Sequence, residues 1–514
     1  MGAADDTRAA SAPAPSTSSQ SESRSEPPRE RDYSALYERI KRKPCRVANL
    51  EQLHETQGRK LHTRAHLIER ELQKVQDAST LEEIHLALEE AGSNLEKLRV
   101  FSRIELLVNE EPEDEPEVCS VLVDLEEKNW YRAHLATYVQ GGESSCEVRL
   151  GLSNVRGCAE QVSLSAEYGA QASQQARLSY EQPRPWGLPL HVEAQLQRSL
   201  LNQQRTSSFT QTLHGLLLGV KSLSGVQALQ AELGWRNLAD RDPQPSASAP
   251  VQAQLGDFLK AALRYTLMWD RRSPGPSGAP ESGWAVRCGS ELAGLPALGA
   301  WGAGAPAAAV ERWAKQQLDV QVLLPLTRHL NLSLTASAGL LLPWGGEDAL
   351  GRPTCIAERF FLGGPASLRG FSWRAVGPSA ARRPRPSAGQ GGGAAAEAGV
   401  GAAVKRDSLG GDAFTSLLAA VSFPLPGRVL QALNLHGHLF INGGNCVDVS
   451  ASGRTFQASA RRFVDTFRWS AGAGLVLPTW MGRFEANYVY VLASQEHDRV
   501  KQGLQLGFAS SVFM

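Results

Sequence analysis

Arg369 is the side chain in this sequence whose setting points most directly to specific chemistry, and that chemistry is non-covalent. It lies within Leu368-Arg369-Gly370-Phe371, behind the lead-in Arg359-Phe360-Phe361-Leu362-Gly363-Gly364-Pro365. A guanidinium is a planar fork of donors that holds its charge at any physiological pH. Gly370 frees the backbone to turn there with φ > 0. Strand parity names partners for the fork. Leu435, Leu439 and Ile441 share one face of a candidate strand, which leaves His438, Phe440 and Asn442 on the other. Phe440 is then an aromatic on a polar face. A guanidinium stacked on its ring gains about 0.5–2 kcal/mol, and Asn442 can accept hydrogen bonds from the same fork.

Other reactive residue types do not assemble into sites. His436 and His438 point to one face of that strand, but no third residue completes a metal-ligand set, so they are expected to be solvated and no metal or other cofactor is expected. The seven cysteines (Cys45, Cys119, Cys146, Cys158, Cys288, Cys355 and Cys446) are odd in number and lack a CxxC pair, which argues against a disulfide framework or a zinc site. Asn331-Leu332-Ser333 fits a glycosylation acceptor, yet it falls in mid-strand. Without a nucleophile elbow or a phosphate loop, the sequence is not that of an enzyme. Lys+Arg and Asp+Glu are both 53, so bulk charge gives no footprint for nucleic acid.

The elements that must position Arg369 are strands. From about Tyr131 to Met514 the hydrophobic period is two: Val162, Leu164, Ala166 and Tyr168 alternate with Ser163, Ser165 and Glu167. Phe484, Ala486, Tyr488 and Tyr490 alternate with Glu485 and Asn487, and Val489 breaks the pattern. Roughly sixteen strands are expected, beginning near 133, 145, 161, 175, 189, 208, 225, 255, 282, 308, 329, 412, 434, 467, 482 and 503. Their polar face of Ser, Gln, Asn, Glu, Arg and Gly makes a poor dry core and a good wetted lumen, so the apolar face must meet lipid. Lipid requires a closed antiparallel transmembrane β-barrel rather than a soluble sandwich. The uncharged stretch Ala293 to Val310 contains Pro296 and Pro306 and is a loop rather than a membrane helix.

Ahead of the barrel, residues 45–128 predict a small α+β unit in the order β-α-α-β-β. Cys45 to Leu53 is its first strand. Thr63 is expected to cap a helix carrying Leu67, Ile68, Leu72 and Val75. Thr80-Leu81-Glu82-Glu83 is a capping-box pattern opening a second helix, with Ile84, Leu88, Ala91, Leu95 and Leu98 on one face. Arg103 to Asn109 and Val118 to Leu125 follow as strands. Residues 1–44 are a disordered tail by composition, with no apolar core for a secretory signal. An inward loop is expected over about 342–371, and a low-complexity Gly/Ala/Arg/Pro insertion over about 377–408.

Several segments, in this order and spacing, give the chain a family resemblance. They are Asn154-Val155-Arg156-Gly157 with Glu160, the loop from Phe360 to Phe371, Leu409-Gly410-Gly411-Asp412 with Phe423-Pro424-Leu425-Pro426, Phe440-Ile441-Asn442-Gly443-Gly444, and Arg468-Trp469-Ser470-Ala471-Gly472-Ala473-Gly474. The chain resembles the core barrel of the mitochondrial sorting and assembly machinery, within the BamA-type insertase superfamily. The β-α-α-β-β unit resembles a single polypeptide-transport-associated (POTRA) domain.

The resemblance implies a protein of the mitochondrial outer membrane, with its N-terminal domain in the intermembrane space, that inserts β-barrel precursors through a seam between the first and last barrel strands. Ala133 and Tyr138 would lie on one side of that gate. Gln505, Gly507 and Val512 would lie on the other, within the terminal pattern Gln505-x-Gly507-x-x-Ser510-x-Val512. Many relatives have Asp where Asn442 stands, so Glu485 or Asp412 is expected to supply the carboxylate for Arg369. Metaxin-type receptor subunits and cristae-organising complexes are the implied partners, alongside unfolded precursors and lipid. A chloroplast-envelope type of translocation channel is the alternative. A passive porin fits neither the POTRA-like unit nor the loop.

Overall fold

The structure is a computed structural model. It describes residues 44–52, 60–110, 118–140, 143–242, 246–274, 280–295, 310–327, 329–345, 353–383, 405–427, 430, 433–449, 461, 463–479 and 482–509. Residues 1–43, and with them nearly all of the expected tail, lie outside this set, as does Val512.

The N-terminal unit contains β1 (Arg46–Gln52), α1 (Ala65–Gln76), α2 (Leu81–Lys97), β2 (Phe101–Glu110) and β3 (Val118–Glu127), with the sheet ordered β1-β3-β2. β1 runs parallel to β3, and β2 runs antiparallel to it. The apolar residues at helical spacing, Leu67, Ile68, Leu72 and Val75 on α1 and Ile84, Leu88, Ala91, Leu95 and Leu98 on α2, bury against Val121, Val123 and Leu125 of the central strand. Thr80 caps α2 by accepting from the Glu83 N–H at 3.3 Å, but the Glu83 carboxylate turns to Ser79, accepting from its N–H at 2.9 Å and its hydroxyl at 2.8 Å. Thr63 does not cap α1, whose N-cap is Arg64 without a side-chain bond. The Thr63 hydroxyl that would cap the helix is engaged elsewhere, donating to Glu127 and accepting from Asn154 Nδ2 at 2.8 Å.

Nineteen further strands follow. β4 to β11 are Tyr131–Gln140, Glu143–Ser153, Gln161–Gly169, Gln174–Pro183, Leu190–Asn202, Thr210–Ser222, Gln227–Ala239 and Gly256–Asp270. β12 (Ser273–Pro274) is a short annex to β13. β13 to β15 are Pro280–Ala293, Trp313–Thr327 and Leu330–Pro343; β16 (Ser379–Ala381) and β17 (Arg406–Ser408) pair only with each other. β18 to β22 are Ala413–Pro424, His436–Val447, Arg468–Thr479, Gly482–Ala493 and Gly503–Ala509. Without β12, β16 and β17, sixteen strands form one closed antiparallel barrel in chain order. The strand starts expected from alternation lie within two residues of these, except at 308, where β14 begins at Trp313. Leu164, Tyr168, Leu439, Ile441, Tyr488 and Tyr490 are exposed on the outer face, as residues that meet lipid must be.

The N-terminal unit docks on the turns at the barrel end where β4 begins. Arg184, between β7 and β8, donates to Glu71 of α1 at 2.7 and 3.1 Å, and the Glu71 side chain is buried. The Arg64 N–H donates to Gly157 O at 2.9 Å. Gly157 has φ +75°, and a Cβ there would come within 2.5 Å of His62 O, so only glycine lets this turn close on the unit. The longest connection of the barrel, 344–412, leaves from the opposite end. The ends of its low-complexity segment are ordered as the β16–β17 ribbon; residues 384–404 between them lie outside the described set.

Candidate functional site

The connection from β15 to β18 folds into the lumen and doubles back on itself. Phe360 and Gly411 exchange backbone hydrogen bonds of 2.9 Å, and single bridges join Leu362 to Val376 and Gly364 to Leu368. These pairings bring Leu368-Arg369-Gly370-Phe371 to the tip. Leu368 and Phe371 are fully buried, together with Phe360, Leu362, Trp313, Leu341 and Val491. The loop therefore shares an apolar core with inward residues of β14, β15 and β21.

The Arg369 guanidinium reaches across to β21. Its Nη2 and Nε donate to Glu485 Oε2 at 2.7 and 3.2 Å, with both side chains less than a tenth exposed. Its Cζ sits 5.0 Å from the centre of the Phe440 ring on β19. Glu485 also accepts from Asn487 Nδ2 at 2.8 Å, and Asn487 Oδ1 lies 2.6 Å from His438 Nε2. His438 thus belongs to a protein network rather than being a solvated residue. A carboxylate that accepts from a guanidinium and an amide is fixed in orientation.

The backbone of the tip is held as well. Asn442 does not meet the guanidinium. With its amide oriented to satisfy its neighbours, it accepts from the Arg369 N–H at 2.7 Å and donates to Ser470, whose hydroxyl donates to Arg369 O at 2.6 Å. Asp412 likewise is not a partner of Arg369. It lies fully buried with Thr354 and 3.8 Å from Arg359 Nε, at the root of the loop instead of its tip. Asp412 directly precedes β18 and Arg359 precedes the Phe360–Gly411 pairing, so the strand geometry brings these two together.

The last strand and the residue Lys501 just before it touch the tip. The Gly370 N–H donates to Gln505 Oε1 at 3.1 Å, and the Lys501 N–H donates to Gly370 O at 2.8 Å. A Cβ on Gly507 would come within 3.0 Å of Pro365 Cβ. Gly370 has φ +90°, and a Cβ on it would meet Val491 Cγ2 at 2.7 Å, so the tip fits only with glycine. Val489, the apolar break in the β21 alternation, is buried with Phe440 beneath this same tip. An apolar residue at a lumen position was the sequence signal for where the loop docks.

Barrel closure runs through β22 and β4. Side chains on its outer face are unusually bare: Leu135 is 70% exposed, Leu504 67% and Leu506 72%, against 43% for Leu318 in a central strand. Ala133 is exposed on β4, and Tyr138 belongs to the same strand. Gln505 and Gly507 lie on β22 with Gln505 turned inward, while Val512 is outside the described residues.

A second cluster escaped the sequence reading. Glu358, eleven residues before Arg369, lies buried among Arg236, Lys260 and Lys315 of the wall. These residues are charged at inward positions of β10, β11 and β14, and alternation alone does not tell a solvated lumen charge from one paired with a loop. The seven cysteines are free thiols. Among the described residues no group of His, Cys, Asp and Glu could hold a metal ion, and no helix is long and apolar enough to cross a membrane.

The chain is similar to several known proteins. The family profile described as the Omp85 superfamily domain matches residues 154–511. Sorting and assembly machinery component 50 homolog A of Xenopus laevis is 28% identical over 453 residues, covering 87% of each chain. Its Homo sapiens counterpart, Sorting and assembly machinery component 50 homolog, is 27% identical over 445 residues, covering 85% of each. Among solved structures, BamA from Haemophilus ducreyi lacking POTRA domains 1-3 superposes with a TM-score of 0.67 at 14% identity, covering 90% of this chain and 84% of the other.

Proposed function

We propose a function from one premise: the chain belongs to the Omp85 superfamily. It is a β-barrel of the mitochondrial outer membrane, with its N-terminal unit in the intermembrane space, and it inserts and assembles β-barrel precursors into that membrane. It is not an enzyme. The problem it solves is physical: a strand entering lipid alone exposes amides and carbonyls, each costing several kcal/mol until paired. We read residues 45–128 as a POTRA domain following a tail at 1–44, and residues 131–514 as the barrel with its inward loop.

The seam between β4 and β22 is the proposed route of insertion. The observation that carries this reading is the bare outer face at Leu135, Leu504 and Leu506 where the barrel closes. A parted seam offers the edge of β4, including Ala133 and Tyr138, to the terminal strand of a client by β-augmentation. Gln505 and Gly507 belong to the facing strand. The loop supports this role because its tip bonds to Gln505 and so holds β22 from inside. Gln505 and Gly507 both lie against the loop, through Gly370 and Pro365.

For partners, we propose metaxin-type receptor subunits on the cytosolic end, where the long 344–412 connection leaves the barrel. We also propose contact between the N-terminal unit and cristae-organising complexes in the intermembrane space. The deciding experiment imports labelled barrel precursors into mitochondria depleted of this protein and follows them by blue-native electrophoresis. Precursors should stall before integration while presequence import continues; equal loss of both would instead indicate a general channel. A cysteine at Ala133 should crosslink to the last strand of an arriving client, and active insertion without that crosslink would exclude the β4 edge as the receiving strand.

A further inference from the structure

We propose that Glu358 is a positioning residue for the signature loop, docking its root on the wall across the lumen from the tip and making the loop a strut fixed at both ends. Its carboxylate Oε1 lies 2.5 Å from Arg236 Nη2 on β10 and 3.0 Å from Lys260 Nζ on β11, and its Oε2 lies 3.4 Å from Lys315 Nζ on β14. Lys315 also donates to the Glu358 backbone oxygen at 2.8 Å and sits 4.9 Å from the centre of the Phe360 ring. In barrel order β10, β11 and β14 are the seventh, eighth and tenth strands; the tip is held by β19 to β22, the thirteenth to sixteenth.

The wall is built to receive one more carboxylate. Around the site it carries four cations, Arg236, Lys260, Arg264 and Lys315, against three carboxylates, Glu232, Glu291 and Glu311. Arg236 is 2.8 Å from Glu311, Lys260 is 3.0 Å from both Glu232 and Glu291, and Arg264 is 2.8 Å from Glu291. Arg236, Lys260 and Glu358 are all more than nine-tenths buried. A buried cation in excess is costly, and Glu358 brings the cluster to four against four. Removing that one charge leaves the wall unbalanced and loosens the root from β10 and β11, while Arg359–Asp412 and the Phe360–Gly411 pairing still hold it on the β18 side. The load then shifts to the contacts of the tip, which sit beside the seam.

This deepens the reading of the loop as the support of β22, and its test needs no client, so failure of the strut and failure of the insertion reading are separable. Hydrogen exchange read by mass spectrometry on the full chain in lipid nanodiscs compares wild type with Glu358→Gln. The amides of Leu368, Gly370 and Ser372 donate to Gly364 O, Gln505 Oε1 and Arg499 O. They should exchange about tenfold faster in the variant, with α2 unchanged as the folding control, and Glu358→Asp should recover much of the protection. Acceleration confined to 354–360 and to β10, β11 and β14 would reduce Glu358 to a local structural residue and overturn the strut. If Glu358→Gln does not fold, Lys315→Gln serves in its place; it should speed exchange at the tip about threefold, and an unchanged tip would overturn the proposal equally.

Discussion

Arg369 makes one contact of each kind that its chemistry allows: an ion pair with Glu485, a stacked ring in Phe440, and backbone bonds to Asn442 and Ser470. The ion pair is the term most sensitive to truncation, because removing either partner strands a buried charge. Arg369→Ala and Glu485→Gln should each destabilise the barrel by about 3 kcal/mol in urea titrations followed by electrophoretic mobility. The double variant should lose less than the sum, with a coupling of about 1–3 kcal/mol. Strict additivity would mean that the pair contributes nothing. Parity made Phe440 legible in the sequence, because an aromatic on a polar face needs a reason. It could not decide between Glu485 and Asp412, since that choice depends on how far the loop reaches before it turns, which the Phe360–Gly411 pairing sets.

Local patterns fixed most elements, and departures arose where a side chain found a nearer partner. Strand starts are readable because each strand puts one face in lipid and the other in the lumen; the start expected near 308 lies outside the described residues, and β14 begins at Trp313. At the start of α2, Thr80 was identified correctly, whereas Glu83 bonds Ser79 rather than closing the box. Thr80→Ala should lower the stability of the N-terminal unit by about 0.5–2 kcal/mol. The two Ser79 bonds hold the Glu83 carboxyl below its usual range. A depressed folded-state value means this contribution is present above the unfolded pKa and is lost as pH falls through the folded one. Amide protection in the first turn of α2 should therefore decline on acidification in wild type. In Glu83→Gln it should be weaker at neutral pH and nearly flat, and a matching decline in the variant would remove Glu83 as the cause.

At the scale of the whole molecule, one connection crosses the space that the strands enclose. The barrel was legible, and so was its loop, but the wall charges that receive Glu358 were not: a lumen filled with water and a lumen filled with protein give the same alternation. Between the loop and β8 to β11 there remains a cavity of about 340 Å³, lined by Gln197, Gln211, Glu232, Arg236 and Lys260. Sixteen-stranded barrels without such a filling are wide enough to pass solutes in water. This barrel is therefore also an electrical component of its membrane, a resistor set by one folded segment. Purified protein in a planar bilayer should carry small currents, and Arg369→Ala should raise the unit conductance several-fold towards that of an open pore of its strand number. Wild-type currents already at that level, and unchanged in the variant, would show that the loop does not seal the lumen. On the proposed route of insertion the wall parts at one edge, and ions stay on their own side only if the middle stays shut; the segment that steadies that edge is the one that lies across the middle.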